Sequence, residues 1–460
     1  MDGRSSLDAS SDASSEALVL VIGAGPAGLF TAQALASDGM DVILLNRDFK
    51  PGGLAEYGIY HSKHRIKSVL RNQFQKILEM PEVTYFGNVT VSNEGDLTLA
   101  ALREMGFSAI VVAVGAQGTK WLGLPGEDLS GVYHAKDLIY YYNRLPPFSE
   151  RSFDIGRRAA LIGVGNVMAD IARWLVRDLK IDEVIAVARR GPVEIKFTRQ
   201  EFEHIAANLD VADFEREIER VRSRMAAVDQ NPDEAKAFVL SALDRAEPPV
   251  SNTVVRFRFL ASPSRMLGDG EGRVAGLEVE NTELVRNAEG VTRPVRTGTT
   301  DILDVDTVIF CIGDRVSEDF GLPTQWFSFV KHPDPHYAVG GISFEAFDPA
   351  CGEALPGVFI AGWAREASKG QVALARKDAQ GCAAAVKGYL ADRPVAGDAA
   401  AARRRLMVAL GQLDKPVITT ADALRLEEIE AERAAAAGEE AFRFDTNAAM
   451  LEALGLTLPD

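Results

Sequence analysis

Residues 17–46 constrain the fold more tightly than any other stretch. The apolar run Ala17-Leu18-Val19-Leu20-Val21-Ile22 leads into Gly23-Ala24-Gly25-Pro26-Ala27-Gly28, and after a helical stretch a second apolar run ends Val42-Ile43-Leu44-Leu45-Asn46. This order predicts strand, phosphate-binding turn, helix and strand. Gly23 allows the tight turn, Gly25 lets backbone approach a pyrophosphate, and Gly28 lets the helix pack closely on the sheet. A pyrophosphate then rests on the unpaired N–H groups of the helix start, contacted by Pro26 and Ala27 as well.

A second copy of the pattern follows. Leu161-Ile162-Gly163-Val164-Gly165-Asn166-Val167 opens a helix with apolar residues at Met168, Ile171, Ala172, Leu175 and Val176. The strand after it, Glu183–Ala188, ends in Arg189-Arg190, where an NAD site would carry an acid. Two guanidinium groups there suit a ribose phosphate, so NADPH is favoured over NADH; the alternative is an ordinary surface arginine pair. Each loop is followed by a buried-strand pattern that breaks at glycine, Ala109–Ala116 with Gly115 and Asp306–Gly313. The repetition predicts an α/β chain with two related dinucleotide-binding domains.

Composition narrows the function. The formal net charge of −16 over 460 residues lacks the basic footprint of a general nucleic-acid binder. No apolar run reaches the length of a membrane span. Cys311, Cys351 and Cys382 are far apart with no CxxC, which supports neither a redox dithiol nor a locally encoded iron-sulfur site. Residues 1–16, rich in Ser and Asp, read as a disordered tail and not as a targeting peptide, so a cytoplasmic protein is expected.

Other positions carry particular expectations. Asn46 and Arg47 stand at the end of the second strand, where an acid usually meets a ribose; the Asn46 amide still offers a donor and an acceptor, and Asp48 is a substitute. Pro51-Gly52-Gly53-Leu54 marks a tight loop returning to the crevice. His61, Lys63, His64, Arg65, Lys67 and Arg71 form a dense basic stretch, either a solvated helix face or a dock for an acidic electron carrier. After the strand ending Ile360-Ala361-Gly362-Trp363 come Gly370-Gln371-Val372 and a small-residue helix, whose N-terminus supplies positive potential to an anionic reduced flavin. Trp363 either covers the flavin ring or is a core aromatic, and Glu201 is a site residue or one end of a surface ion pair.

Together these residues resemble the adrenodoxin reductase type of ferredoxin-NADP reductase, over nearly the whole chain after residue 16. The resemblance implies that Gly23, Gly25 and Gly28 face the FAD pyrophosphate and that Leu54 lies near the flavin. It further implies that Asn166, Val167, Arg189, Arg190 and Glu201 form the NADP site, and that Trp363 and Gly370 sit beside the isoalloxazine as the catalytic pair. The most specific segment is Arg189-Arg190-Gly191-Pro192 through Phe197-Thr198 to Glu201. Asn46 stands where the family usually has Glu, and Ser62-Lys63 replaces its Asp-His pair; Lys63 after Tyr57-Gly58-Ile59 is similar instead to the glutamate synthase small subunit, whose cysteine-rich N-terminal region is absent.

The organisation expected is a discontinuous FAD domain (17–118 and 321–395), an NADP domain (119–320) and a helical extension (396–460) packed on the FAD domain. The activity expected is hydride transfer from NADPH to FAD, then electron transfer to a ferredoxin-like carrier. Two alternatives are electron delivery to a partner subunit or a small-molecule acceptor, and a non-enzymatic flavin or nucleotide sensor.

Overall fold

A computed structural model describes residues 17–367, 370, 372–393 and 398–456. The tail over 1–16 and Gln371 lie outside the described residues. The described residues cluster into two compact units, one built from those up to Gly118 together with those from Arg315 onward, the other from residues 119–314.

The first unit opens with strand β1 (Leu18–Ile22), helix α1 (Pro26–Ala36), β2 (Asp41–Leu45), α2 (Leu54–Tyr57), α3 (His64–Leu78), β3 (Val83–Gly87), α4 (Leu99–Glu104) and β4 (Ala109–Val112). β1 pairs in parallel with β2 and β4, setting Leu20 beside Ile43 and Ile110. All five β1 residues are buried, because the strand is covered on both faces. Its side chains divide by period two: Val19 and Val21 enter one core with Leu29, Phe30 and Phe74, and Leu18, Leu20 and Ile22 enter another with Leu406 and Leu410. Burying each such side chain contributes about 1.5–3 kcal/mol, so the central strands are the least movable part of the unit.

The second unit carries β5 (Val132–His134), α5 (Ala135–Tyr142), β6 (Arg158–Ile162), α6 (Asn166–Arg173), β7 (Glu183–Val187), α7 (Arg199–Glu203), α8 (Val211–Ala226), α9 (Pro232–Leu240) and β8 (Val254–Arg258). Then come β9 (Ala261–Gly268), β10 (Val274–Arg286), β11 (Thr292–Leu303) and β12 (Thr307–Phe310). β5, β12, β6, β7 and β8 form, in that order, a parallel sheet. The order reverses at β6, which places a ligand crevice at the carboxyl ends of β6 and β12. β9, β10 and β11 make an antiparallel sheet whose Met266, Leu277 and Val279 pack on the same core as Ala160, Ile162 and Phe310.

The return to the first unit adds β13 (Glu345–Asp348), β14 (Glu353–Ile360), α10 (Val372–Asp392), α11 (Ala399–Leu410), β15 (Ile418–Thr419), α12 (Thr420–Ala437) and α13 (Asn447–Leu454). The completed sheet runs β13-β14-β4-β1-β2-β3-β15 among the described residues. The C-terminal region therefore does more than lay helices on the surface. β15 pairs antiparallel with β3, and Thr419 caps α12 through a reciprocal bond with Asp422.

Candidate active site

At the carboxyl edge of β1 the backbone itself selects the residues. Gly23 has φ +102°, and a Cβ there would lie 2.6 Å from the Ala113 carbonyl oxygen. A Cβ on Gly28 would fall 1.8 Å from the Gly23 carbonyl oxygen. Gly25 instead faces open space, with nothing within 4 Å of the Cβ it lacks. It is the N-cap of α1, makes no side-chain cap, and is followed by Pro26 at the first helical position. An open backbone cradle beneath uncapped N–H groups, including that of Ala27, suits an anion with no side-chain help, as a dinucleotide pyrophosphate requires.

Two further segments close on this loop. Gly52 N donates to the Ala24 carbonyl at 2.7 Å, and a Cβ on Gly53 (φ +49°) would meet Gly25 Cα at 3.0 Å. Leu54, half-buried, begins α2 directly after Gly53. From the other side, a Cβ on Gly362 would lie 2.5 Å from Ala27 Cβ. Gly362 N donates to Asp378 Oδ2 at 2.6 Å, and Arg365 Nε to Asp378 Oδ1 at 2.9 Å, so α10 fixes the turn that carries half-buried Trp363. The sequence reading missed Arg365 and Asp378, since an Arg and an Asp thirteen residues apart give no local signal. Gly115 follows β4 with φ +69°, Gly370 is exposed with φ +85°, and half-buried Val372 opens α10. Arg47 Nε reaches Asp48 Oδ1 at 2.9 Å and its Nη1 reaches Gln117 Oε1 at 3.0 Å.

Asn46 has a structural role beside the one the sequence suggests. Its side chain is buried, Oδ1 accepts from Ala24 N at 3.1 Å, and Nδ2 donates to the carbonyls of Asp48 at 2.9 Å and Lys50 at 3.1 Å and lies 3.2 Å from the Tyr85 hydroxyl. A buried amide takes its partners from the protein. Both amide hydrogens are committed to the protein, so Asn46 ties the 46–50 turn to the glycine loop at Ala24.

The second unit repeats the cradle. Gly163 has φ +120° and a missing Cβ 2.6 Å from the Cys311 carbonyl oxygen, whereas Gly165 faces open space and is the N-cap of α6 without a side-chain cap. Asn166 and Val167 form the first turn of α6. Asn166 Oδ1 accepts from Thr198 N at 2.8 Å, and the Val164 carbonyl accepts from Lys196 N at 2.9 Å and Phe197 N at 3.2 Å. The loop is thereby joined to the start of α7, where Thr198 Oγ1 accepts from Glu201 N at 3.4 Å. The Thr198-x-x-Glu201 spacing is the sequence trace of that cap. Arg189 is exposed beyond β7, and Thr282 Oγ1 donates to its carbonyl at 2.7 Å. Arg190 pairs with Glu194 at 2.5 Å while half-exposed, a contact worth at most about 1 kcal/mol and easily exchanged for a phosphate.

The basic stretch does not form one face. α3 turns Lys67 inward, to 2% exposure, and leaves Ile66 and Val69 each 53% exposed. Burial, with Arg443 adding to it, pushes the Lys67 ammonium down to about 6. Arg71 binds both oxygens of buried Glu56, at 2.8 and 2.7 Å. Burial alone would raise the Glu56 carboxyl, but Arg443, Lys50 and Arg71 outweigh it and hold the group well below the usual carboxylate range. Lys67 is thus buried and half-buried Arg71 is engaged by Glu56, which corrects the expected dock at these two positions. Arg65 is exposed, His61 and Lys63 are half-exposed, and His64 lies 3.6 Å from Glu440.

Two dinucleotide cradles, one per unit, with arginines after the second, define a flavoprotein oxidoreductase that takes reducing equivalents from a pyridine nucleotide. The profile of the pyridine nucleotide-disulphide oxidoreductases matches residues 18–238. The chain is 31% identical over 391 residues to the NADPH-ferredoxin reductase FprA of Mycobacterium leprae, covering 79% of this chain and 81% of that protein. It is 29% identical to the mitochondrial NADPH:adrenodoxin oxidoreductase of Arabidopsis thaliana, over 79% of this chain and 80% of the other. The solved structure of Mycobacterium tuberculosis FprA in complex with NADPH matches with a TM-score of 0.78 at 27% identity, covering 95% of this chain and 100% of that one. The chain belongs to the family of NADPH-ferredoxin and adrenodoxin reductases.

Proposed function

We propose that this protein is an FAD-dependent oxidoreductase that takes a hydride from NADPH and passes electrons singly to a ferredoxin-like iron-sulfur carrier. The observation that carries the reading is the pair of open, uncapped glycine cradles at Gly25 and Gly165, each at the carboxyl edge of its own parallel strands. Bound FAD supplies the chemistry, accepting two electrons and releasing them one at a time. The protein's part is to hold and orient. Backbone N–H groups at Ala27 and Gly28 take the FAD pyrophosphate, and those at Asn166 and Val167 take that of NADPH. Arg189, with Arg190 released from Glu194, takes the ribose phosphate. Trp363, held by the Gly362–Asp378–Arg365 bonds, stands beside the flavin ring and limits water there.

For the carrier we propose a dock at the outer face of α3, with Lys63 and Arg65 supplying charge and Ile66 and Val69 apolar contact. No helix among the described residues is long and apolar enough to cross a membrane. The cytoplasm is the proposed compartment, supported by three cysteines that remain free thiols. Anaerobic mixing with NADPH and, separately, NADH tests the reading. Rapid bleaching of the flavin band by NADPH and much slower bleaching by NADH is expected, while bound flavin untouched by either nucleotide would refute it.

A further inference from the structure

The 50–58 turn packs directly on the pyrophosphate loop, yet its own secondary structure is a single four-residue helix. Besides Asn46, Ala24 and Arg71, groups from the far end of the chain hold it. Lys50, 2% exposed, pairs with Glu430 of α12 and lies 3.7 Å from Glu56 Oε1. Glu56, 3% exposed, receives Arg443 Nη2 on Oε1 at 2.7 Å, and Arg443 Nη1 reaches the Glu56 carbonyl at 3.4 Å. The same guanidinium lies 5.8 Å from the centroid of the Tyr57 ring. Phe444, next to Arg443, is buried in the core that includes Ile429, and the Arg433 guanidinium covers the Phe442 and Phe444 rings at 5.3 and 4.7 Å. Arg443 is therefore delivered to Glu56 by a fixed segment. Half-buried Glu427, its carboxyl raised by desolvation, lies in the same group, so removing Arg443 leaves the buried carboxylates undercompensated.

We propose that the C-terminal segment is a clamp on the flavin site: Arg443 and Glu430 hold Glu56 and Lys50, and through them keep residues 50–58 against the FAD pyrophosphate loop. The proposal rests on the assignment of FAD to the Gly23–Gly28 loop. These are positioning residues, since none of them needs to touch the flavin. The clamp explains why a region beyond the sheet's parallel strands is tied back by both β15 and this charge group.

The test is flavin release from the purified holoenzyme, followed by the rise in flavin fluorescence, beside the thermal unfolding midpoint of the flavin-stripped protein. R443A is expected to release FAD about tenfold faster than the native protein, and R443K, which keeps the charge but not both contacts, at an intermediate rate. Hydrogen exchange at residues 50–58 rises in R443A while that of β1 and β4 stays at the native level. Native release kinetics in R443A with a lowered unfolding midpoint overturns the clamp, because Arg443 then only stabilises the fold. Should R443A yield no folded protein, R443K and E430Q decide, and native release in both overturns it. A native protein that never takes up FAD overturns the loop assignment as well, and is recognised because it has no flavin to release.

Discussion

At Asn46 the sequence pattern and the hydrogen bonds suggest two different roles for one side chain. Its position at the end of β2 predicts a ribose contact, but its amide reaches Ala24, Asp48 and Lys50 through backbone atoms and lies beside the Tyr85 hydroxyl. The two readings diverge for Asn46→Asp. A ribose-binding residue would gain from the acid, whereas here a carboxylate would face the Asp48 and Lys50 carbonyls, taking from Lys50 its Asn46 donor while Asp48 keeps the Tyr85 hydroxyl and Asn88 N. Unfilled buried acceptors cost about 1–3 kcal/mol each, so the variant is expected to lose on the order of 2 kcal/mol of stability and to bind FAD more weakly. Urea unfolding and flavin titration check this, and tighter flavin binding in the variant would favour the ribose role. Gly23, Gly28 and Gly163 are the opposite case. The steric demand that selects glycine there is local to the strand-turn-helix unit, so the sequence displays it outright.

The same division holds for elements. Parallel strands buried on both faces, such as β1, β4 and β12, are short apolar runs ended by glycine and are legible without any tertiary knowledge. β15 is not, because two residues carry no period and its pairing partner β3 lies over 300 residues earlier. α3 is the instructive failure. Its helical period is plain, but Lys67 and Arg71 share the buried side with Phe74, where only Glu56, distant in sequence, favours positive charge while Arg443 opposes it at Lys67. A buried lysine leaves a pH signature. The Lys67 ammonium falls from its ordinary 10.5 to about 6 on folding. Between those values the unfolded chain holds the proton and the folded one does not, so this residue lowers stability progressively as pH falls from 10.5 to 6 and no further below. Lys67→Met is therefore expected to be more stable than the native protein by about 1–3 kcal/mol at pH 6, with the gain shrinking toward pH 10. Unfolding midpoints across that range measure it, and a gain that is flat or grows with pH contradicts the burial of a neutral amine.

For the whole molecule the governing quantity is charge. With a formal net charge of −16 the protein repels an acidic iron-sulfur carrier at long range, and only a local cationic face can reverse that on approach. The two effects respond differently to salt. Repulsion from the distributed charge acts over tens of ångströms and is screened first, whereas at the dock proposed on α3 attraction by Lys63 and Arg65 would act within about one Debye length, roughly 10 Å at 0.1 M, where contact with Ile66 and Val69 would also exclude water. In the native protein kcat/KM for the carrier is expected to fall as ionic strength rises above about 0.1 M, because local attraction then dominates what remains. Exchanging Lys63 and Arg65 for Glu removes two positive and adds two negative charges, taking the net charge from −16 to −20. In that variant the attraction is gone and only repulsion is left to screen. Its kcat/KM is expected to drop about tenfold or more at low salt and to rise with added salt, reversing the native slope. Bleaching of the flavin by NADPH involves no carrier and serves as the internal control. A variant that keeps the native salt slope would move the dock off α3 while leaving the reductase reading intact, since the nucleotide cradles at Gly25 and Gly165 do not depend on where the carrier binds.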